Sequence, residues 1–179
     1  EDVSKLSDDI LVNFGGSVEK IVKATYSARK LGLEVDKMAS ISRGLLNVEQ
    51  SISSEIEARI LTGKNLNFDV ARELSLYGDI EGATSNILSQ VGSLHDFTQM
   101  NVIAQESLAE AVGMTRGELF KSLSHQELNH KLSEMNLSSL SKATKEQREQ
   151  LKLQTKYTDK QFEQLLNENT GNVFDKTLG

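Results

Sequence analysis

Apolar residues recur at helical spacing along most of the chain, and no stretch alternates long enough to predict a strand. The first group, Leu6, Ile10, Leu11 and Phe14, is closed by Gly15-Gly16. Ser17 can cap a second helix with the stripe Val18, Ile21, Val22, Thr25, Ala28 and Leu31, and Gly32 supplies its stop. The longest segment follows, about residues 36–62, opened by Asp36 and closed by Thr62-Gly63. Within it Met38, Ile41, Leu45, Val48 and Ile52 step alternately by three and four residues, which is a heptad seam. Beyond Ile52 the steps become four and four, through Ile56 to Ile60, a shift that locally changes supercoiling. As one helix this segment would be about 40 Å long, with Met38, Ile41, Leu45, Val48 and Ile52 as an oligomer interface.

After Gly63 the pattern changes to short segments with frequent caps. Asn67 or Asp69 can start a helix running to Gly78, and Asp79 a second ending near Gly92. Residues 93–100 read as a linker or a single turn. Asn101 can cap a third helix, ending at Gly113, and Thr115 a fourth, with Glu118 as its capping-box partner, running to about Leu123. Such short helices are marginal alone, so they must share a core, for which Leu74, Leu76, Ile80, Ile87, Leu88, Val91, Phe97, Val102, Ile103, Leu108, Val112, Leu119 and Phe120 are candidates. Residues 124–137 predict a further helix, and 138–168 a polar, lysine-rich one. The fold class expected is therefore all-α: one long coiled-coil-like helix, then a module of short helices and a polar helical tail. The divisions are a helical lead-in over 1–35, the long helix over 36–63, the short-helix module over 64–137 and the tail over 138–179.

Composition agrees with helices and narrows the chemistry. The 179 residues include no proline, where average usage of about 5% would give roughly nine. Proline breaks helix interiors, so its absence permits uninterrupted ones. With no cysteine there is no disulfide, thiolate metal site or cysteine nucleophile. The net charge is −6, which gives no reason to expect sequence-specific nucleic-acid binding. Residues 66–123 carry eight acidic and three basic side chains and so hold most of that excess. No apolar run approaches the roughly 20 residues of a membrane span. The chain opens on Glu1, which reads as a processed or partial polypeptide.

Candidate sites are few. Glu127 and His130 have the E-x-x-H spacing of di-iron bundles, but those need a second such motif and two further glutamates. His95, His125 and His130 therefore read as solvated polar residues, with no metal ligands among them. Thr62-Gly63-Lys64-Asn65 lacks the earlier glycine and the hydroxyl residue of a phosphate loop and reads as a helix end. Gly15-Gly16 reads as a hinge. Asn167, Asn169 and Gly171 misplace the glycine of a calcium loop, and Leu178 stands where its glutamate belongs. No serine lies in a nucleophile elbow. The expectation is a non-enzymatic protein without cofactor or small-molecule substrate.

Residues 66–123 carry the strings Ala71-Arg72-Glu73-Leu74, Gly78-Asp79, Gln90-Val91-Gly92-Ser93, Asp96-Phe97 and Met100-Asn101-Val102-Ile103. They continue with Gln105-Glu106-Ser107-Leu108-Ala109, Val112-Gly113-Met114 and Glu118-Leu119. This module resembles the recurrent helical module of tail tape measure proteins of long-tailed bacteriophages, and the serine-rich stretch from Ile41 to Leu61 is similar to what often precedes it. The resemblance implies a virion structural protein made in the host cytoplasm. It implies a homo-oligomer, with a trimer favoured, in the tail tube or tail tip. Its partners would be tail tube and baseplate hub proteins, and its work tail assembly, length determination and genome ejection. Even fully helical, 179 residues would span only roughly 270 Å, so a terminal anchoring segment is expected rather than a whole ruler. The alternative is a helical adaptor or scaffold module binding a partner protein, in which the same seam would be internal core.

Overall fold

A computed structural model describes residues 18–135 and 144–155, the latter without the side chains of 153–155. Nine α-helices account for most of these residues. They are α1 (Val18–Lys30), α2 (Val35–Leu46), α3 (Val48–Thr62), α4 (Asp69–Leu76), α5 (Ile80–Ser89), α6 (Leu94–Thr98), α7 (Val102–Ala111), α8 (Arg116–Glu134) and α9 (Lys145–Thr155). Local chemistry sets most of the starts. The Asp79 carboxylate accepts from the Gly82 N–H at 2.9 Å, and the Asn101 side chain from the Ala104 N–H at 2.8 Å. Ser93 does the same for α6, accepting from the Asp96 N–H at 3.1 Å. Thr115 and Glu118 form the reciprocal capping box, at 3.1 and 2.8 Å. α8 then continues without interruption past Leu123 to Glu134, one helix where two were expected.

The expected long helix does not exist. It is two helices, broken at Asn47, whose ψ of 75° leaves the helical region. The Asn47 N–H closes α2 on the Gly44 carbonyl at 3.2 Å, and its own carbonyl accepts the Ser51 N–H at 2.9 Å to open α3. Gly44 and Asn47 are both poor in helix interiors, glycine through backbone entropy and asparagine through competition for backbone hydrogen bonds. The break re-aims the chain. Met38, Ile41 and Leu45 of α2 are buried, while Val48 and Ile52 of α3 are exposed. The coiled-coil rod is thus replaced by a bundle in which α2 packs against α1, α3, α4 and α5. Its core joins Met38, Ile41 and Leu45 to Phe68, Ile87, Phe97, Leu108, Leu119 and Leu123.

α7 and α8 extend the bundle, and α1 and α9 both pack on α8. Gly32 marks the turn after α1. Its φ of +69° favours glycine, and a Cβ there would come within 2.8 Å of the His125 ring. His125 is consequently buried, correcting the expectation that all three histidines are solvated. The residues before 18, between 136 and 143, and after 155 lie outside the described structure. They include the Leu6–Phe14 group, Gly15-Gly16, Asn167, Asn169 and Gly171.

The burial of Leu45 fixes the outcome of changing it. Leu45→Asp places an unpaired carboxylate in the core, and Leu45→Ala should cost about 2–5 kcal/mol. Circular dichroism should show the Asp variant losing its helical signal. A folded variant that differed only in association would contradict this packing.

Candidate interaction surface

α3 faces the bundle with the wrong chemistry for an ordinary surface helix. Its buried residues are Ser51, Ser54, Glu55 and Ala58. Opposite them α7 buries Ala104, Ser107, Leu108, Ala109 and Ala111. Small side chains on both helices let the backbones approach closely, and this pair has the most extensive helix–helix contact among the described residues.

The buried carboxylate in this face is matched by a buried guanidinium. Glu55 and Arg72 are 6% and 8% exposed, and Arg72 Nη2 lies 2.6 Å from Glu55 Oε1. Arg72 Nε donates to Ser51 at 3.1 Å, and Nη1 meets Asp69 at 3.0 Å. The Phe68 N–H donates to Glu55 at 3.2 Å, so the carboxylate also anchors the start of α4. A buried charge is tolerable only when paired and hydrogen-bonded in this way.

Because the polar side is inward, the apolar side is outward. Val48, Ile52, Ile56 and Ile60 are 49%, 39%, 48% and 76% exposed. Spaced by four, they form one ridge about 18 Å long. Val102 and Ile103, at the start of the neighbouring α7, are also exposed, and so is Leu76 at the end of α4, which corrects the expectation that these three lie in the core. Single exposed aliphatics are normal on protein surfaces, but an aligned row is the kind of patch that marks an interaction site.

The five residues of the sequence seam are therefore divided. Met38, Ile41 and Leu45 lie in the core, while Val48 and Ile52 begin the ridge. Ile56 and Ile60, which continue it, carried the change of step in the sequence; that change was the available signal. The inward turn of Ser51, Ser54 and Glu55 had no local signal, because the partner of Glu55 stands seventeen residues later.

Among the described residues the other candidates build no site. His95, Glu127 and His130 border a groove of about 330 Å³ with Gly92, Ser93, Leu94, Leu123 and Gln126. No group of three metal-ligating side chains occurs among the described residues. Gly63 ends α3 in the left-handed conformation, its N–H bonded to the Arg59 carbonyl, so the Gly-Lys pair is a helix end. Glu118 has its carboxyl held below the ordinary carboxylate range, chiefly by the Thr115 N–H and next by Lys37, against an opposing effect of burial. These contacts fasten α2 to the start of α8 and lie apart from the ridge. No described helix is long and apolar enough to cross a membrane. Comparison with protein-family models, curated proteins and solved structures returned no match.

The polar lock can be tested by denaturation. Arg72→Met strands the Glu55 carboxylate and should cost about 3–5 kcal/mol in urea unfolding. Adding Glu55→Leu should recover part of that loss, the remainder being the Phe68 N–H left without its acceptor. A single variant as stable as the parent would show that the pair does not hold α3 to α4.

Proposed function

We propose that this chain is a helical adaptor or scaffold module that docks a helix of a protein partner on the α3 ridge. The observation that carries it is the inverted amphipathicity of α3: a paired, polar inner face and a row of four β-branched aliphatics outside. Val48, Ile52, Ile56 and Ile60 match the way an amphipathic helix presents anchors one turn apart. β-Branched side chains lose little rotamer freedom on docking, which favours a ridge of this composition. The reading assigns the chain no catalytic step and no cofactor.

The resemblance of residues 66–123 to tape measure proteins supplies a setting for such a module. There the chain would be a non-enzymatic segment at the tail tube or tip, its partners tail tube or baseplate hub proteins. This second reading rests on the sequence strings alone, and the ridge does not depend on it. Mass spectrometry of purified tails would detect the chain there or exclude it.

A photo-reactive phenylalanine analogue placed at Ile56, in the cells or particles that make the protein, tests the docking. A discrete adduct, identified by mass spectrometry and lost on adding Ile52→Glu, is expected. The same analogue at exposed Ser85 of α5 should give none. Equal yields at the two positions would overturn the reading.

A further inference from the structure

We propose that the helix taken by the ridge is α3 of a second copy of this chain, running antiparallel; this rests on the docking reading above. The sequence of α3 is complementary to its own reverse. A twofold axis at the level of Ser54 sets Val48 opposite Ile60 of the other copy and Ile52 opposite its Ile56. The same axis sets Glu49 opposite Arg59, twice, once on each side. Such a face is isologous, so one patch serves both copies.

Charge decides the direction. Glu49, Glu57 and Arg59 are the charged residues on the exposed side of α3, since Glu55 is turned inward. Parallel pairing in register would bring Glu49 to Glu49 and Arg59 to Arg59. Antiparallel pairing replaces both repulsions with attractions. Arg59 is available for this: it is exposed, and its ion pair with Glu55 is long, at 3.9 Å. The helical wheel supports the pairing. At 100° per residue, the ridge and the Glu49 and Arg59 positions fall within one sector on the side away from Ser54 and Ala58.

A single helix pair is small beside the surface that stable dimers bury, so association belongs to the weak class, with a dissociation constant on the order of 10–100 µM. Sedimentation equilibrium of the whole chain, from about 1 µM to about 1 mM, should show reversible conversion from 19.8 kDa to twice that mass. Ile56→Glu should weaken association at least tenfold with unchanged circular dichroism, because the side chain is exposed. Arg59→Glu and Glu49→Arg should each weaken it about threefold to tenfold, two ion pairs being lost per dimer. The double swap should restore the parent value.

The rescue belongs to antiparallel pairing alone. A dimer indifferent to Ile56→Glu, or single swaps that the double swap does not rescue, would overturn the proposal, as would a trimer. A chain that stays monomeric at 1 mM would also overturn it. If the Ile56 cross-link then identified a different protein, the docking reading would stand without the second copy. An adduct at twice the chain mass supports both, and no adduct above the Ser85 control removes the docking reading itself.

Discussion

The ion pair of Glu55 and Arg72 is the constraint on which the rest turns. Both groups are almost wholly removed from water, at 6% and 8% exposure. A carboxylate so placed is tolerated only with its partners in position. It has them in the Arg72 guanidinium at 2.6 Å and the Phe68 N–H at 3.2 Å. Those two contacts fix how α3 is rotated about its own axis relative to α4. With Glu55, Ser51 and Ser54 turned inward, the aliphatic row of α3 has nowhere to go but out. The exposed ridge is thus a consequence of the buried charge, and not a separate feature added to a finished surface.

The break at Asn47 is the second half of the same arrangement. A continuous helix would keep Leu45, Val48 and Ile52 on one stripe. Ending α2 at Leu46 and restarting at Val48 divides that stripe. α2 can then fill the core with Met38, Ile41 and Leu45, while α3 presents its small residues to α7. Soft stops of this kind, made by asparagine and glycine in a chain without proline, let α1 to α8 share one core.

Local chemistry was legible in the sequence at several helix starts, though the Ser93 cap of α6 was not read and Asp36, expected to open a helix, lies inside α2. Asp79, Asn101 and the Thr115–Glu118 pair cap the helices that their spacing predicted. The stops at Gly32, Gly63, Gly78, Gly92 and Gly113 coincide with positive φ angles. What could not be read was long-range. The heptad steps from Met38 to Ile52 are compatible with a rod or with two helices, because periodicity reports spacing and not continuity. The ridge was present as a string of apolar residues, but its exposure depends on Arg72, which is far along the chain from Glu55. His125 failed for the same reason: nothing near it in sequence announces that Gly32 makes room for its ring.

The side of α3 that faces solvent decides the rest, and the absence of native cysteine makes it directly measurable. Ile56→Cys and Ala58→Cys can each be treated with a thiol-reactive probe at about 1 µM protein, below the range proposed for association. The Ile56→Cys thiol should react at nearly the rate of a free thiol. The Ala58→Cys thiol should be protected by orders of magnitude until the protein is unfolded. Equal rates at the two positions, or protection at Ile56→Cys with rapid reaction at Ala58→Cys, would contradict this orientation of α3.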